Sequence, residues 1–337
     1  SASVRNSSFF IAKTKDAMAG NVTCNQNNMA EGLIALVGEM ERARQFGFTE
    51  TELKRAKANF LSRIESQYNE RDKRENSSFV NLCLNNFLDA EPMLTPTFKL
   101  NANKEIAAKT NLEDINKKVR ELIDNKNQVM TVYGPDKADI RYPSEEQFTS
   151  YVKEAQSKVY TPYEDKGHNR PLVEKLPKSG KIISEKSYGK HGVTLFTLSN
   201  GLKVYVKPTD FAADRISMNM FSKGGSSLFD TQDMPNDSFI INAITEAGIG
   251  QLDAISLKKT LSGKNVRISP FVNDNTEGIK GACAAKDVKT MFELAYLYFT
   301  SPRRDDKAFE SLVNRMRSFL TNREANPKVA YGDSITS

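Results

Sequence analysis

Two histidines, His168 and His191, and three cysteines, Cys24, Cys83 and Cys283, are all that a soft-metal site could draw on in 337 residues. A zinc ion held by His and Cys would need nearly all of them, from positions far apart, and no C-x-x-C or H-x-x-x-H spacing is present. An odd number of isolated cysteines offers no disulfide framework, so the thiols read as small buried hydrophobes. A nucleophile triad fares no better. Both histidines lie in or beside polar, linker-like sequence and read as surface residues, leaving no general base for a serine or a cysteine.

The glycine motifs exclude more than they offer. Gly263-Lys264 would close a phosphate loop only with Gly at 258 and a hydroxyl residue at 265, where the chain has Lys258 and Asn265. Gly248-x-Gly250 is followed by Asp253 where a dinucleotide fingerprint needs a small residue, and it ends a helical pattern instead of opening one. Gly224-Gly225-Ser226-Ser227 could cradle an anion through its amides, although a Gly-Gly pair at the end of a strand reads first as a turn. Charge names no partner: 48 Lys+Arg against 42 Asp+Glu give +6, and the Lys-rich runs VKEAQSK and EKLPKSGKIISEK are interrupted by acids, a poor footprint for nucleic acid. Apolar runs such as Phe292 to Phe299 fall far short of the roughly 20 residues that span a bilayer.

The elements that would position any site fall into two groups, as expected for a chain beyond the roughly 250 to 300 residues of one core. From Asn28 to Ile64 two amphipathic helices are predicted, with Leu33, Leu36, Val37, Met40 and Ala43 on one face, then Leu53, Ala56, Phe60 and Ile64 on another. Thr49 and Glu52 form a capping box between them. Helices over Ser77 to Leu88 and Leu112 to Ile123 precede a strand, NQVMTVYG. Residues 141 to 189, rich in Pro, Lys, Glu and Gly apart from a short helix near Gln147 to Ala155, read as a surface linker. Beyond it, TLSNGLKVYV predicts a hairpin with a type I′ turn at Asn200-Gly201. A strand over Arg215 to Phe221, a helix over Phe239 to Ala247 stopped by Gly248, and a short helix over Asp253 to Leu261 follow. Two strands, NVRISPFV and EGIKGACA, lead to a helix over Asp287 to Thr300 with Met291, Phe292, Ala295, Tyr296 and Phe299 as a core stripe, and a last helix runs from Asp305 to Arg323. Sliding the chain by 256 residues places Glu50 on Asp306 and Leu53 on Phe309, which suggests two α+β domains of similar build.

This order of motifs resembles the pitrilysin family, the inverted-zincin metallopeptidases. TLSNGLKVYV matches the opening hairpin of a repeat, GGSS the turn after the next strand, EAGIG the end of its helix, and GACAAKDVKTMFELAYLYFTSPRRDDKAFE the later helices. The stretch GLIALVGEMERARQFGFTETELKRAKANFLSRIES with NQVMTVYG looks like the family's second repeat without its beginning. The resemblance implies an α+β fold of tandem repeats like those of the processing peptidases (LuxS/MPP-like), with antiparallel sheets carrying helices on one face. Residues 1–140 would be a second repeat, 141–189 an interdomain hinge, and 190–337 a third repeat.

Where the family's catalytic members carry H-x-x-E-H, with two zinc-binding histidines and a general-base glutamate, alignment on Gly248 puts Phe239, Asn242 and Ala243. The further Glu ligand falls near Ser318 or Phe319. The resemblance therefore implies a degenerate repeat with no catalytic, cofactor or metal residue of its own, zinc being expected in a first repeat outside this chain. Its role would be to shape a chamber for peptide or unfolded-protein substrates and to join the two halves of a metalloendopeptidase. The alternative is a catalytically dead scaffold or binding subunit of a processing-peptidase-like complex. A chain opening at Ser1 without Met reads as a trimmed piece, and a bacterial parent of this kind implies a periplasmic or secreted site.

Overall fold

A computed structural model describes residues 2–8, 16–124, 126, 128–134, 136–138, 140–165, 171–321, 323 and 327–336. His168 lies outside the described residues. Helices and antiparallel sheets are mixed. In chain order the elements are β1 (Ala2–Ser8), β2 (Asp16–Val22), α1 (Met29–Phe46), α2 (Glu50–Asn69), α3 (Asn76–Asp89), α4 (Pro96–Lys109), α5 (Leu112–Leu122), α6 (Glu145–Ser157), β3 (Ile182–Tyr188), β4 (Val193–Leu198), β5 (Lys203–Val206), β6 (Ile216–Lys223), α7 (Asp237–Ala247), α8 (Ala254–Thr260), β7 (Val266–Val272), β8 (Thr276–Cys283), α9 (Val288–Thr300), α10 (Asp306–Thr321) and α11 (Pro327–Thr336).

Contacts gather the chain into two compact units that do not follow sequence order: Ser1–Ala56 with Ala108–Gly167 and Asp305–Ser337, and Lys57–Ala107 with His168–Arg304. In the first, β1 and β2 pair as an antiparallel hairpin, and α1 packs on α5, α6 and β2. The predicted capping box is present: the Thr49 amide donates to Glu52 Oε2 at 2.9 Å and the Glu52 amide to Thr49 Oγ1 at 3.3 Å. It starts α2 by satisfying amides that a helix end leaves free.

The second unit holds two three-stranded antiparallel sheets, ordered β3-β4-β5 and β6-β8-β7. Helices α7 and α9 pack against β7, and α9 also against β8. Met291, Leu294, Ala295 and Leu297 of α9 are buried, and Leu297 joins Ile249 and Val173 in a core flanked by Leu172, Leu257, Tyr296 and Tyr298.

Several expectations are corrected. The hairpin at Asn200-Gly201 is not type I′: among the described residues only Ala90 has positive φ without being Gly. The Gly201 amide donates to the Leu198 carbonyl at 2.8 Å and the Leu198 amide to the Leu202 carbonyl at 2.9 Å. With Gly201 alone at φ 84°, this is a three-residue loop, a type I turn closed by a left-handed glycine. NQVMTVYG is not a strand over its described part, 128–134, where Val129 and Tyr133 are exposed, because no strand among the described residues pairs with it. Within the α9 stripe Phe292 and Phe299 face outward, and the buried side is reached through Leu294 and Leu297. The stretch 141–189 is not uniformly a surface linker. Val152 and Ala155, spaced i, i+3, are buried as α6 packs on α1, Leu172 and Val173 join the second unit's core, and β3 pairs with β4. Of the cysteines only Cys283 is buried; Cys24 and Cys83 are exposed.

Candidate functional site

The positions aligned with the metal motif are displayed along α7. Phe239 and Asn242 are exposed and Ala243 is half-buried. Phe and Ala offer no donor atom and Asn242 only a neutral amide, so these residues do not fit a zinc ion. Phe319 is exposed on α10, in the other compact unit. Among the described residues no three His, Cys, Asp or Glu side chains gather in a way that could hold a metal.

GGSS is likewise committed to structure. The Gly224, Ser226 and Ser227 amides donate to the carbonyls of Asn275 (3.0 Å), Asn273 (3.0 Å) and Asp274 (2.8 Å), sealing the β6 end to the β7–β8 loop. With three of its four amides donating to carbonyls, the segment is a turn that ties two strands together. His191 is exposed, as its polar surroundings suggested.

The polar side chains that do come together lie in the second unit, along the C-terminal part of α2. Asn59, Ser62, Arg63, Ser66, Gln67 and Glu70 recur at the three- and four-residue spacing that puts them on one helix face. With Lys264 and Asn265 they line a groove of about 380 Å³. The loop after α8 can approach α2 this closely because residue 263 is glycine at φ 80°, where an added Cβ would meet Ala58 Cβ at 2.9 Å. The Gly263 amide donates to Asn59 Oδ1 at 2.7 Å, and Asn265 Nδ2 to Ser66 Oγ at 3.0 Å.

Around the groove every acid is engaged. Glu70 accepts the Ala213 and Asp214 amides at 3.1 and 2.7 Å, and Asp214 accepts Asn69 Nδ2 at 2.7 Å and the Ala285 amide at 2.9 Å. Asp287, fully buried, accepts the Asn265 amide at 2.8 Å and faces Lys264 Nζ at 3.5 Å. Glu65 meets Lys286 at 3.1 Å and Lys104 at 3.4 Å; its carboxyl is held below the usual range by the Lys286 hydrogen bond first, against opposing desolvation, with the Lys286 and Lys104 charges adding. Burial, with the nearby carboxylates of Asp287 and Asp214, raises the Cys283 thiol. Sequence reading passed over this face because it tracked apolar residues; the signal available was the polar i, i+3, i+4 pattern from Asn59 to Glu70.

No protein-family model matches the chain. The zinc protease PQQL-like of Arabidopsis thaliana is 26% identical over 295 residues, covering 87% of this chain and 28% of that protein. The probable zinc protease PqqL of Escherichia coli is 20% identical over 326 residues, 96% of this chain and 35% of that protein. The chain thus spans only about a third of the length of the curated relatives it matches. Among solved structures, a mutant of the ferredoxin protease FusC in complex with Arabidopsis ferredoxin matches at TM-score 0.58 and 16% identity, over 100% of this chain and 37% of that one, a likeness of fold. The resemblance to the zinc metallopeptidases of the pitrilysin family read from the motifs is borne out by these relatives, which are named zinc proteases.

Proposed function

We propose that this chain, which is related to the PqqL-like zinc proteases of the pitrilysin family, is the non-catalytic middle portion of a zinc metalloendopeptidase, shaping its peptide-binding chamber and joining its halves. The observation that carries the reading is a conjunction. Relatives named zinc proteases match almost the whole chain, yet the positions aligned with the metal motif are Phe239, Asn242 and Ala243, which have no means of holding zinc. Zinc belongs, on this reading, to a repeat elsewhere in the parent.

Residues 1–140 and 190–337 are proposed as LuxS/MPP-like repeats, with 141–189 as the strap between them. The 256-residue offset supports this, since it carries Glu50, the first residue of α2, onto Asp306, the first residue of α10. A polypeptide substrate is supported by the ferredoxin bound to FusC. The same proposal puts the parent in the periplasm or outside the cell, following the bacterial members it resembles.

Elemental analysis and a peptidase assay test it together. The isolated chain is expected to bind no stoichiometric zinc and to leave unfolded peptides intact, whereas the full-length natural protein is expected to bind zinc and to cleave them. One tightly held zinc per isolated chain overturns the reading. A full-length protein that lacks zinc and activity replaces it with the scaffold reading.

A further inference from the structure

The groove on α2 is unusual in what it leaves over. Three of its acceptors are satisfied: Glu70 by two backbone amides, Asn59 Oδ1 by the Gly263 amide, and Ser66 Oγ by Asn265. Its donors are not. Arg63 stacks over the Phe60 ring at 5.7 Å, but its guanidinium has no hydrogen bond or ion pair among the described residues. The Gln67 amide is equally unengaged there. Ser62 is more than nine-tenths buried, and its Oγ has no hydrogen-bond partner. That hydroxyl has almost no accessible surface, so it lies beneath the groove and does not open into it; leaving it unpaired costs about 1–3 kcal/mol. Lys264 adds a second cation at the rim, shared with Asp287.

We infer that this groove, with the exposed Arg63 and Gln67 as donors and Lys264 as a second charge, binds an oxyanion group, a phosphate or a carboxylate. A planar guanidinium fork pairs with two oxygens of such a group at once, which an ammonium does not do. The Gln67 amide supplies a neutral donor for a remaining oxygen. A volume of about 380 Å³ lies within the range of small-molecule sites, so the group is carried by something larger than a bare ion or by the side chain or end of a polypeptide. The inference stands on these contacts and does not depend on the protease reading.

Calorimetric titration of the full-length natural protein with inorganic phosphate, and separately with a blocked aspartyl peptide, tests it. Saturable one-to-one binding of at least one probe is expected. Arg63→Ala should weaken it by about tenfold, which is about 1.4 kcal/mol, Arg63→Lys should recover part, and Lys73→Ala, outside the groove, should leave it unchanged. Ser62→Ala is a structural control: removing the orphan hydroxyl beneath the groove should keep or raise the unliganded melting temperature and leave binding unchanged. Binding of phosphate alone identifies a phosphate ligand, and binding of the peptide alone identifies an acidic polypeptide. No binding of either probe at millimolar concentration, or binding indifferent to Arg63→Ala, overturns the inference.

Discussion

At the scale of single residues, the three cysteines separate into two environments that the composition alone made equivalent. Cys283 closes β8, buried against Asp287 and Asp214, and desolvation first, then these carboxylates, raises its thiol. Because the thiolate is the reactive species, both effects slow alkylation. Iodoacetamide at neutral pH is expected to label Cys24 and Cys83 in the folded protein, and Cys283 only after denaturation, as read by peptide mass spectrometry. Labelling of Cys283 at the rate of the exposed pair would show that β8 opens or is not packed as described. The same reasoning explains why the positions aligned with the metal motif are legible in sequence and the groove is not. A Phe or an Ala at a ligand position is decided by side-chain chemistry, whereas Arg63 acquires meaning only from which neighbours leave its guanidinium unpaired.

At the scale of elements, amphipathic patterns carried most of the fold. α1, α2, α5, α7, α8, α9 and α10 lie within a few residues of their predicted spans, because apolar spacing, the Thr49–Glu52 box and Gly248 are local signals. What escaped was non-local or weakly patterned. α4 has almost no apolar periodicity, α11 likewise, and β3 has every residue exposed at the edge of its sheet, so pairing with β4 rather than burial defines it. NQVMTVYG shows the converse, a strand-like sequence with no strand to pair with among the described residues. The clamp that fastens α2 is also non-local, and it makes a pH prediction. The Glu65 carboxyl lies lower in the folded protein than its ordinary value of 4.5, through Lys286 first and Lys104 after it. Such a group stabilises the fold fully above the unfolded value, and the contribution is lost as pH falls through the folded one. The urea midpoint should therefore drop between about pH 5 and 3, and Glu65→Gln should lower it at neutral pH while flattening that acid limb. An unchanged acid limb in the variant would mean that Lys104 and Lys286 do not hold Glu65 in solution. Glu65 remains more than a third exposed, so the effect is screened and should shrink in high salt.

At the scale of the whole chain, the sequence divides into two proposed repeats and a strap, while contacts divide it into two units that each draw on separated segments. The strap is where the two descriptions can be tested against each other. If 141–189 were linker throughout, a protease would cut anywhere in it. The structure instead engages three of its parts: α6 buries Val152 and Ala155, Leu172 and Val173 enter a core, and β3 is paired, with the Ser199 amide donating to the Lys181 carbonyl at 2.7 Å. Between them, residues 174–180 are exposed and without regular structure. Proteolysis requires several residues of backbone to leave their hydrogen bonds and enter the enzyme, so it starts where none need be broken. Limited trypsin digestion is thus expected to cut first after Lys175 or Lys178, ahead of Lys153 in α6 or Lys186 in β3. N-terminal sequencing of the first fragments decides the matter: a first cut at Lys153 would restore the strap as an unfolded linker, and one within α9 would contradict the core built on Met291 and Leu297.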